Sequence, residues 1–492
     1  MKFPNWLSQR SVQKKDAIAL IFKSTTNQES EYWTYSQLES QVNQCVDYLQ
    51  ALGIKSGDRV GLLLTNQPRY IILVHALVKC EAVAVFLNIR LTAEELRWQI
   101  EDSLTRHLFC DQVTKAIAKI IQVDSLIICE FSGSFTQERN LKNENINLEN
   151  IQGIFYTSGT TGKPKGVPLT YSNHFYSAIA SALNLGVEPD DNWLLCMPMF
   201  HVGGFAIAWR SVINGTTLTL LPKFDEQEVL DAIVNEKVTL ISLVPTMLTR
   251  LLRHPDRQNL QKLRAILLGG APASQELIEC CLELNLSIMP TYGMTEAASQ
   301  ITTLPPHQVA LKRGSSGLPL FGNRLRIVDD SIQELASGAI GQILIQGASM
   351  MQGYLNTNIA TQDGWMHTGD LGYLDRDGYL YVVSRRADLI ISGGENIYPT
   401  EIEAILLEHP TIAEVCVVGI SDREWGEVVA VVIVSESLLS LEKIREFCEQ
   451  NSLARYKLPK AIYLWESLPK SASGKVLRQE IRDRLGRSID YN

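Results

Sequence analysis

The segment with the clearest chemical signal is residues 157–166, which directly follows the apolar run 154–156. Its glycines and small hydroxyl residues allow backbone N–H groups to approach an anion closely, and its lysines add positive charge, as a triphosphate requires. A Walker A loop does not fit, because Thr157 stands where that motif needs its first glycine and Pro164 follows Lys163. We therefore predict a different phosphate-binding loop. Its predicted members are Thr157, Ser158, Gly159, Thr160, Thr161, Gly162, Lys163 and Lys165.

Residues 157–166 resemble the signature phosphate loop of the adenylate-forming superfamily, which contains acyl-CoA synthetases, peptide-synthetase adenylation domains and luciferases. Five further motifs of the superfamily are matched in order and spacing, so the resemblance covers nearly the whole chain. They are residues 268–272, 292–296, 368–370, Arg385 and 471–475. The resemblance implies an enzyme that uses ATP and Mg²⁺ to activate a carboxylic acid as an acyl adenylate. The acyl group then passes to coenzyme A (CoA).

The resemblance also implies roles for single residues. Lys475 is the implied catalytic lysine, and from a glycine-flanked loop it could reach the substrate carboxylate and the α-phosphate, where negative charge accumulates. Glu296, implied to act beside Thr295, offers the hard carboxylate ligand that Mg²⁺ prefers. Asp370 and Arg385 are the implied ribose ligands, since an acceptor-only carboxylate suits two hydroxyl groups. The other implied nucleotide-binding residues are Gly269, Gly270, Ala271, Tyr292 and Gly293.

Each of these polar residues also has an ordinary structural explanation. A lysine such as Lys475 in a Ser-Gly context is usually a solvated loop residue, and Glu296 could be a surface or helix N-terminal carboxylate. Asp370 could be a turn aspartate, and Arg385 could form a salt bridge between domains. Only the surrounding motifs favour the chemical roles.

The two half-reactions place different groups at the same acyl carbon. The superfamily resolves this by rotating a small domain about a hinge, so that Lys475 leaves and the loop 393–398 enters; Gly393 and Gly394 are the implied CoA-binding residues. Ala387 stands where the family usually has a hinge Asp or Lys. Rotation remains compatible with a small residue, but a charged hinge switch is not supported.

Other segments are more particular than the superfamily pattern. They lie at 198–204, 209–211, 222–225, 291–300 and 392–399, and they are similar to members that activate an aromatic acid carrying a second carboxylate on its ring. That second carboxylate needs a cationic or multiply hydrogen-bonding partner. The candidates are His201, Arg210, Thr291 and Ser299. A packed histidine and a helix-surface arginine are comparable explanations for the first two.

Three other functions keep most of these motifs. A CoA ligase for another aromatic or fatty acid would change only the acid pocket, and an adenylation enzyme that loads a carrier protein would not use free CoA. A non-catalytic nucleotide-binding module is the third, although the presence of Lys475 and Glu296 argues against it.

The elements that must position these residues alternate between strands and helices up to about residue 300, which predicts an α/β fold of parallel-rich sheets covered by helices. Capping boxes are predicted at Ser36 with Glu39 and at Thr92 with Glu95. Beyond residue 300 the strands predict a small antiparallel β subdomain, followed by an α+β C-terminal domain, which the resemblance implies is mobile. The predicted domains are 1–386, for nucleotide and acid, and 387–492, which carries the catalytic lysine.

Length and composition limit the function classes. A chain of 492 residues is too long for one hydrophobic core, and its net charge of −9 argues against a nucleic-acid partner. The nine cysteines are scattered without zinc-like pairs, which favours reduced thiols in the cytoplasm. No apolar run is long enough to span a membrane. The expected partners are a small-molecule acid, ATP and CoA, and a homo-oligomer is left open.

Overall fold

A computed structural model describes residues 2–24, 29–121, 127–130, 145–157, 164–356, 361–385, 388–392, 395–422, 425–451, 453, 455–470 and 474–489. The chain divides into two compact units. The large unit comprises Met1–Arg324 and Gln346–Met366, and the small unit comprises Leu325–Ile345 and His367–Asn492.

The described strands, in chain order, are β1 Lys2–Pro4, β2 Ile18–Phe22, β3 Glu31–Thr34, β4 Arg59–Leu63, β5 Val83–Phe86, β6 His107–Cys110, β7 Ile127–Glu130, β8 Asn145–Asn147, β9 Ile151–Thr157, β10 Lys165–Thr170, β11 Asn192–Leu195, β12 Thr217–Leu220, β13 Leu240–Leu243, β14 Ala265–Leu268, β15 Ile288–Met294, β16 Ser299–Thr303, β17 Leu318–Pro319, β18 Asn323–Val328, β19 Gly341–Gly347, β20 Thr361–Gln362, β21 Trp365–Leu374, β22 Leu380–Arg385, β23 Ile390–Ser392, β24 Glu395–Ile397, β25 Ile412–Asp422, β26 Gly426–Ser435 and β27 Ala461–Leu464.

The described α-helices are α1 Trp6–Gln13, α2 Tyr35–Ala51, α3 Pro68–Lys79, α4 Ala93–Asp102, α5 Lys115–Ile120, α6 Tyr171–Leu185, α7 Val202–Asn214, α8 Glu226–Asn235, α9 Pro245–Arg253, α10 Gln275–Glu283, α11 Pro399–Leu407, α12 Leu441–Gln450 and α13 Arg478–Ile489.

Two parallel-rich sheets form the large unit. The six-stranded sheet has the order β10-β9-β5-β4-β6-β7, and only the β9–β10 pair is antiparallel. The nine-stranded sheet has the order β17-β16-β15-β14-β13-β11-β12-β2-β3, with parallel pairing from β15 to β2. These sheets confirm the predicted α/β class.

Helix α7 links the two sheets of the large unit. Its residue Phe205 contacts Phe86 on β5 and Phe155 on β9, whose rings stack 4.2 Å apart. The same helix packs against β11 and β12 of the nine-stranded sheet. An aromatic core therefore surrounds α7, which carries two of the predicted acid-binding residues.

The buried Asn66, which follows β4, makes a second link between the sheets. Its Nδ2 donates to the carbonyl of Met197 at 2.8 Å, and its Oδ1 accepts from the N–H of Met199 at 3.0 Å. An asparagine side chain thus satisfies two buried backbone groups that would otherwise lack partners. It fixes the loop that leads to the predicted acid-binding residue His201.

One of the two predicted capping boxes is confirmed and the other is wrong. Thr92 and Glu95 exchange the expected bonds at the start of α4. At α2 the box is formed by Thr34 and Gln37 instead of Ser36 and Glu39. Glu39 is used elsewhere, because its carboxylate pairs with Lys79 of α3.

The chain continues with a five-stranded sheet in the order β18-β19-β21-β20, to which β22 is added beside β21. The β21–β22 pair is antiparallel, as predicted. The last sheet has the order β24-β23-β26-β25, with β27 parallel to β26. Helix α11 packs against β25, which places a compact α+β module after residue 388.

The predicted boundary at residue 386 stays a prediction. By compactness, residues 325–345 and 367–385 group with the C-terminal module. Among the described residues no helix is long and apolar enough to cross a membrane. The eight cysteines with described side chains are free thiols.

Candidate functional site

A tight turn between β15 and β16 presents the predicted catalytic segment. Thr295 and Glu296 lie in a 3-10 turn, and Ser299 follows it with a φ of 120°. A Cβ atom at Gly293 would lie 2.0 Å from the carbonyl oxygen of Ser299, so only glycine allows the two strands to approach so closely. The turn buries Glu296, whose exposed fraction is 6%.

Tyr354 connects this turn to the predicted phosphate loop. Its hydroxyl group donates to Oε1 of Glu296 at 2.9 Å, and its ring lies 5.0 Å from Nζ of Lys165. Lys165 begins β10 directly opposite Thr157, the last residue of β9. Ser158, Gly159, Thr160, Thr161, Gly162 and Lys163 lie outside the described residues. Tyr354 therefore contacts both Glu296 and Lys165, the described residue at the C-terminal end of the predicted loop.

No local signal in the sequence points to Tyr354 or to Asn66. Tyr354 is 58 residues from Glu296, and Asn66 is 131 residues from Met197. Their contacts depend on chain connections that no helical or strand periodicity encodes.

The predicted adenine-side loop begins where β14 ends. Gly269, Gly270 and Ala271 follow Leu268, and a Cβ atom at Gly269 would lie 2.7 Å from the side chain of Thr291 on the neighbouring β15. These strands are parallel, so the loop and Tyr292 lie at the same carboxyl edge of the sheet. Ligands of open α/β sheets bind at this edge.

The hydroxyl group of Thr291 is already engaged inside the β15–β16 hairpin. It donates to the carbonyl of Thr302 at 2.7 Å and lies 3.0 Å from Oγ1 of Thr303. Thr291 is therefore less suited to donate to a substrate than Ser299, which is half-buried in the same hairpin.

Helix α7 and its N-cap carry the other two predicted acid-binding residues, which lie far apart along the helix. His201 is its N-cap and Arg210 lies nine residues further on, roughly 13 Å along the axis at ~1.5 Å per residue. Burial, together with Arg90, lowers the pKa of His201 to about 4, so its ring is neutral at pH 7. Only Arg210, of the four candidates, carries a positive charge at that pH.

Arg210 is buried, with an exposed fraction of 2%, so the explanation as a helix-surface charge is wrong. Burial lowers its pKa to about 10, and the guanidinium stays charged at neutral pH. Its Nε and Nη2 have no hydrogen-bond partner among the described residues, and no described carboxylate pairs with it. The nearest favourable contact is the ring of Trp193, 5.4 Å away. A buried cation of this kind requires an anion.

Within the small unit the structure brings three predicted residues together. Asp370 on β21 faces Arg385 on β22, with Oδ1 and Nε 3.2 Å apart. Thr368 fixes the backbone just before Asp370, because its hydroxyl group accepts from the N–H of Asp370 and donates to the carbonyl of Ile343. The charges of Asp370 and Arg385 both act on Lys475. Ala387, Gly393 and Gly394 lie outside the described residues.

Lys475 is exposed, yet it lies among charged groups. Partial desolvation and the Arg385 guanidinium lower its pKa from the ordinary value, while Asp370 and Asp388 act in the opposite direction. Desolvation and the Arg385 charge thus outweigh the two carboxylates. An anion beside this ammonium group would shift its pKa the other way.

Comparison with protein families decides what this arrangement is. Residues 7–355 match the model of the AMP-binding enzymes, and residues 401–475 match the model of the AMP-binding enzyme C-terminal domain. The chain belongs to the AMP-binding enzyme family. As a member of this family it is an enzyme.

Full-length relatives agree with this membership. The chain is 44% identical over 484 residues to a 2-succinylbenzoate–CoA ligase of Bacillus cereus, covering 97% of this chain and 98% of the relative. It is also similar to o-succinylbenzoate CoA synthetase from Bacillus subtilis. The complex of that enzyme with its acyl-adenylate intermediate has a TM-score of 0.90 and 38% identity, covering 98% of this chain and 99% of that one. Its complex with ATP and magnesium ion has the same TM-score and identity, covering 98% and 100%.

The buried histidines beside α7 make the stability of this AMP-binding enzyme depend on pH. Burial lowers the pKa of both His75 and His174 to about 3, with Lys79 and Arg210 adding to the effect. Below pH 6.5 the unfolded chain therefore binds more protons than the native one, and stability falls as the pH falls. Each histidine should remove about 2 kcal/mol between pH 7 and pH 5.

We expect His174→Gln to reduce this loss by about 2 kcal/mol. The measurement is urea unfolding followed by tryptophan fluorescence at pH 7 and pH 5, since Trp209 contacts both histidines. The exposed His307 supplies a matched control, His307→Gln, which should keep the full pH dependence. An unaltered dependence in His174→Gln would show that this histidine is not held neutral.

Proposed function

We propose that this enzyme is an ATP-dependent 2-succinylbenzoate–CoA ligase of menaquinone biosynthesis. The acid carboxylate attacks the α-phosphorus of ATP, the bond to diphosphate breaks, and an acyl adenylate forms. CoA then displaces AMP to give 2-succinylbenzoyl-CoA. The single observation that carries the choice of acid in this AMP-binding enzyme is the buried guanidinium of Arg210, whose Nε and Nη2 have no hydrogen-bond partner among the described residues.

The charge of Arg210 distinguishes a dicarboxylic acid from a simple one. 2-Succinylbenzoate brings two carboxylates, and the one to be activated must stay at the α-phosphate. The carboxylate on the ring then supplies the anion that Arg210 lacks. His201, which is neutral, and Ser299 are assigned hydrogen bonds to the same acid, whereas the Thr291 hydroxyl group mainly stabilises its own hairpin.

The nucleotide is assigned to the residues predicted for it. The loop 157–165 cradles the phosphates, and the edge formed by Gly269, Gly270, Ala271, Tyr292 and Gly293 receives the base. The Asp370 carboxylate accepts hydrogen bonds from the ribose hydroxyl groups with Arg385 beside it. Lys475 and Thr295 are each assigned by family resemblance to the α-phosphate and the attacking carboxylate, where negative charge increases in the transition state.

Glu296 fits the magnesium ion that accompanies ATP. Its buried carboxylate forms no ion pair with any described residue, and one oxygen is fixed by Tyr354, which leaves the other for a cation. Magnesium prefers one or two carboxylates together with substrate phosphates, and it neutralises charge that develops on them.

The CoA step is assigned by family resemblance. Gly393 and Gly394 would enter the site as the module beyond Ala387 rotates, with the domain boundary at residue 386. No observation favours another acid, a carrier protein or a non-catalytic module over this reaction.

Diphosphate release from a panel of acids, with and without CoA, tests the proposal. 2-Succinylbenzoate should release diphosphate, the thioester identified by mass should require CoA, and Lys475→Ala should slow adenylation about 1,000-fold, to a rate that is still measurable. Turnover of a fatty acid without turnover of 2-succinylbenzoate would reject the acid and keep the class.

Arg210→Met should lower kcat/KM for 2-succinylbenzoate about 100-fold, the loss of roughly 3 kcal/mol expected for a charged hydrogen-bonded pair. The analogue with hydrogen in place of the ring carboxylate should be affected only a few-fold. Arg210→Lys should retain part of the activity. Arg250→Met, at an exposed arginine paired with Glu226, is the control and should change neither acid. Equal losses for both acids would remove Arg210 from carboxylate binding.

Tyr354→Phe should raise the Mg²⁺ concentration for half-maximal diphosphate release by about 5- to 10-fold, because the Glu296 carboxylate loses a hydrogen bond worth about 1 kcal/mol or more. A magnesium titration at saturating ATP measures this. Tyr32→Phe is matched, since Tyr32 donates to Glu236 at the surface over the same 2.9 Å. Identical magnesium curves for Tyr354→Phe and the unaltered enzyme would contradict the role.

A further inference from the structure

The loop that carries Lys475 is closed at its base, and contacts on its two sides hold it with unequal strength. Lys470 and Val476 form an antiparallel bridge, and the N–H of Leu477 donates to the carbonyl of Pro469 at 2.9 Å. On the N-terminal side, Nζ of Lys470 pairs with Glu414 of β25 at 2.8 Å. Both partners of this pair are about one-third exposed, so it contributes little rigidity.

The C-terminal side is held much more firmly, by Arg478. This residue begins α13 three positions after Lys475, and its side chain is only 18% exposed. Its Nη2 donates to Glu403 of α11 at 3.0 Å, and its Nε lies 3.3 Å from Asp388. Its Nη1 donates to Glu403 and to the carbonyl of Val417 on β25. One guanidinium thus joins four separate segments of the small unit.

The carboxylate of Glu403 completes this network, because it also accepts from the N–H of Val417 at 2.7 Å. A planar guanidinium with five donors can hold two carboxylates and a carbonyl at once, which a lysine cannot. Asp388 is the first described residue after Ala387, the predicted hinge. The network therefore connects the segment beside the hinge directly to the segment that bears the lysine.

We propose that Arg478 is a positioning residue for adenylation: through Glu403, Asp388 and Val417 it fixes the Lys475 loop to the body of the small unit. The inference rests on the proposed function, in which Lys475 serves the first half-reaction and leaves before the second. A displacement of about 1 Å at a reacting group costs on the order of 100-fold in rate. Loss of Arg478 thus affects the step that needs the lysine and spares the step that does not.

Arg478→Gln should slow adenylation about 100-fold, measured as single-turnover diphosphate release. Thioester formation from preformed acyl adenylate and CoA should stay within about threefold of the unaltered enzyme, because Lys475 has no part in it. Arg484→Gln is the matched control on the same helix, since Arg484 pairs with Glu480 at the surface; it should leave both half-reactions unchanged. Lys470→Gln should have a small effect at most.

A second comparison separates positioning from general stability. In a Lys475→Ala background, Arg478→Gln should add no further loss of adenylation, since it acts through the missing lysine. Glu403→Gln keeps the shape of the network and provides the same test if Arg478→Gln does not fold. Equal slowing of both half-reactions, or a full additional loss in the Lys475→Ala background, would overturn the proposal.

Failure of the proposed function would show in the unaltered enzyme, through the acid that it activates or fails to activate. Failure of this inference would show only in the variants. The half-reactions are therefore measured with whichever acid of the panel releases diphosphate. If Lys475→Ala adenylates as fast as the unaltered enzyme, the catalytic role of Lys475 is wrong, and the role of Arg478 with it.

Discussion

The large unit is built around a positive charge that its own described residues do not neutralise. Desolvating a guanidinium costs several kcal/mol, and a contact with one tryptophan ring returns only about 1–2 kcal/mol of that. The neighbouring His174 is kept neutral, which avoids a second buried cation. Aromatic contacts of Phe205 with Phe86 and of Trp209 with Trp6 hold α7 in place despite this charge. The same buried charge therefore costs the core stability and, under the proposed function, binds the anionic acid.

The residues assigned to the nucleotide depend on a different constraint. It is the close approach of backbone segments at the carboxyl edge of parallel strands. Gly269 and Gly293 permit contacts that any Cβ atom would block. The hairpin that results is too tight to move its residues independently, so Glu296 is placed by the backbone and then oriented by Tyr354. Under the proposed function, strand β15 and the turn after it therefore serve both the acid and the nucleotide.

Sequence patterns predicted the alternation of strands and helices, the parallel sheets and the antiparallel β21–β22 pair, because these follow from local periodicity. They failed where two local solutions compete. Thr34 with Gln37 and Ser36 with Glu39 both match the capping-box pattern, and the ion pair between Glu39 and Lys79 of another helix favours the first. Long-range contacts such as that of Tyr354 had no local signal. The burial of Arg210 had one, since the residues of α7 before it are all apolar or glycine and only Ser211 and Asn214 after it are polar.

The short distance between Arg478 and Asp388 has a geometric consequence for motion of the small unit. Lys475 stands three residues before Arg478, a separation that the backbone spans in at most about 10 Å. The ion pair between Arg478 and Asp388 therefore couples the lysine loop to the segment beside the predicted hinge. Under the proposed function, a rotation that begins at this segment carries the lysine with it instead of leaving the loop behind.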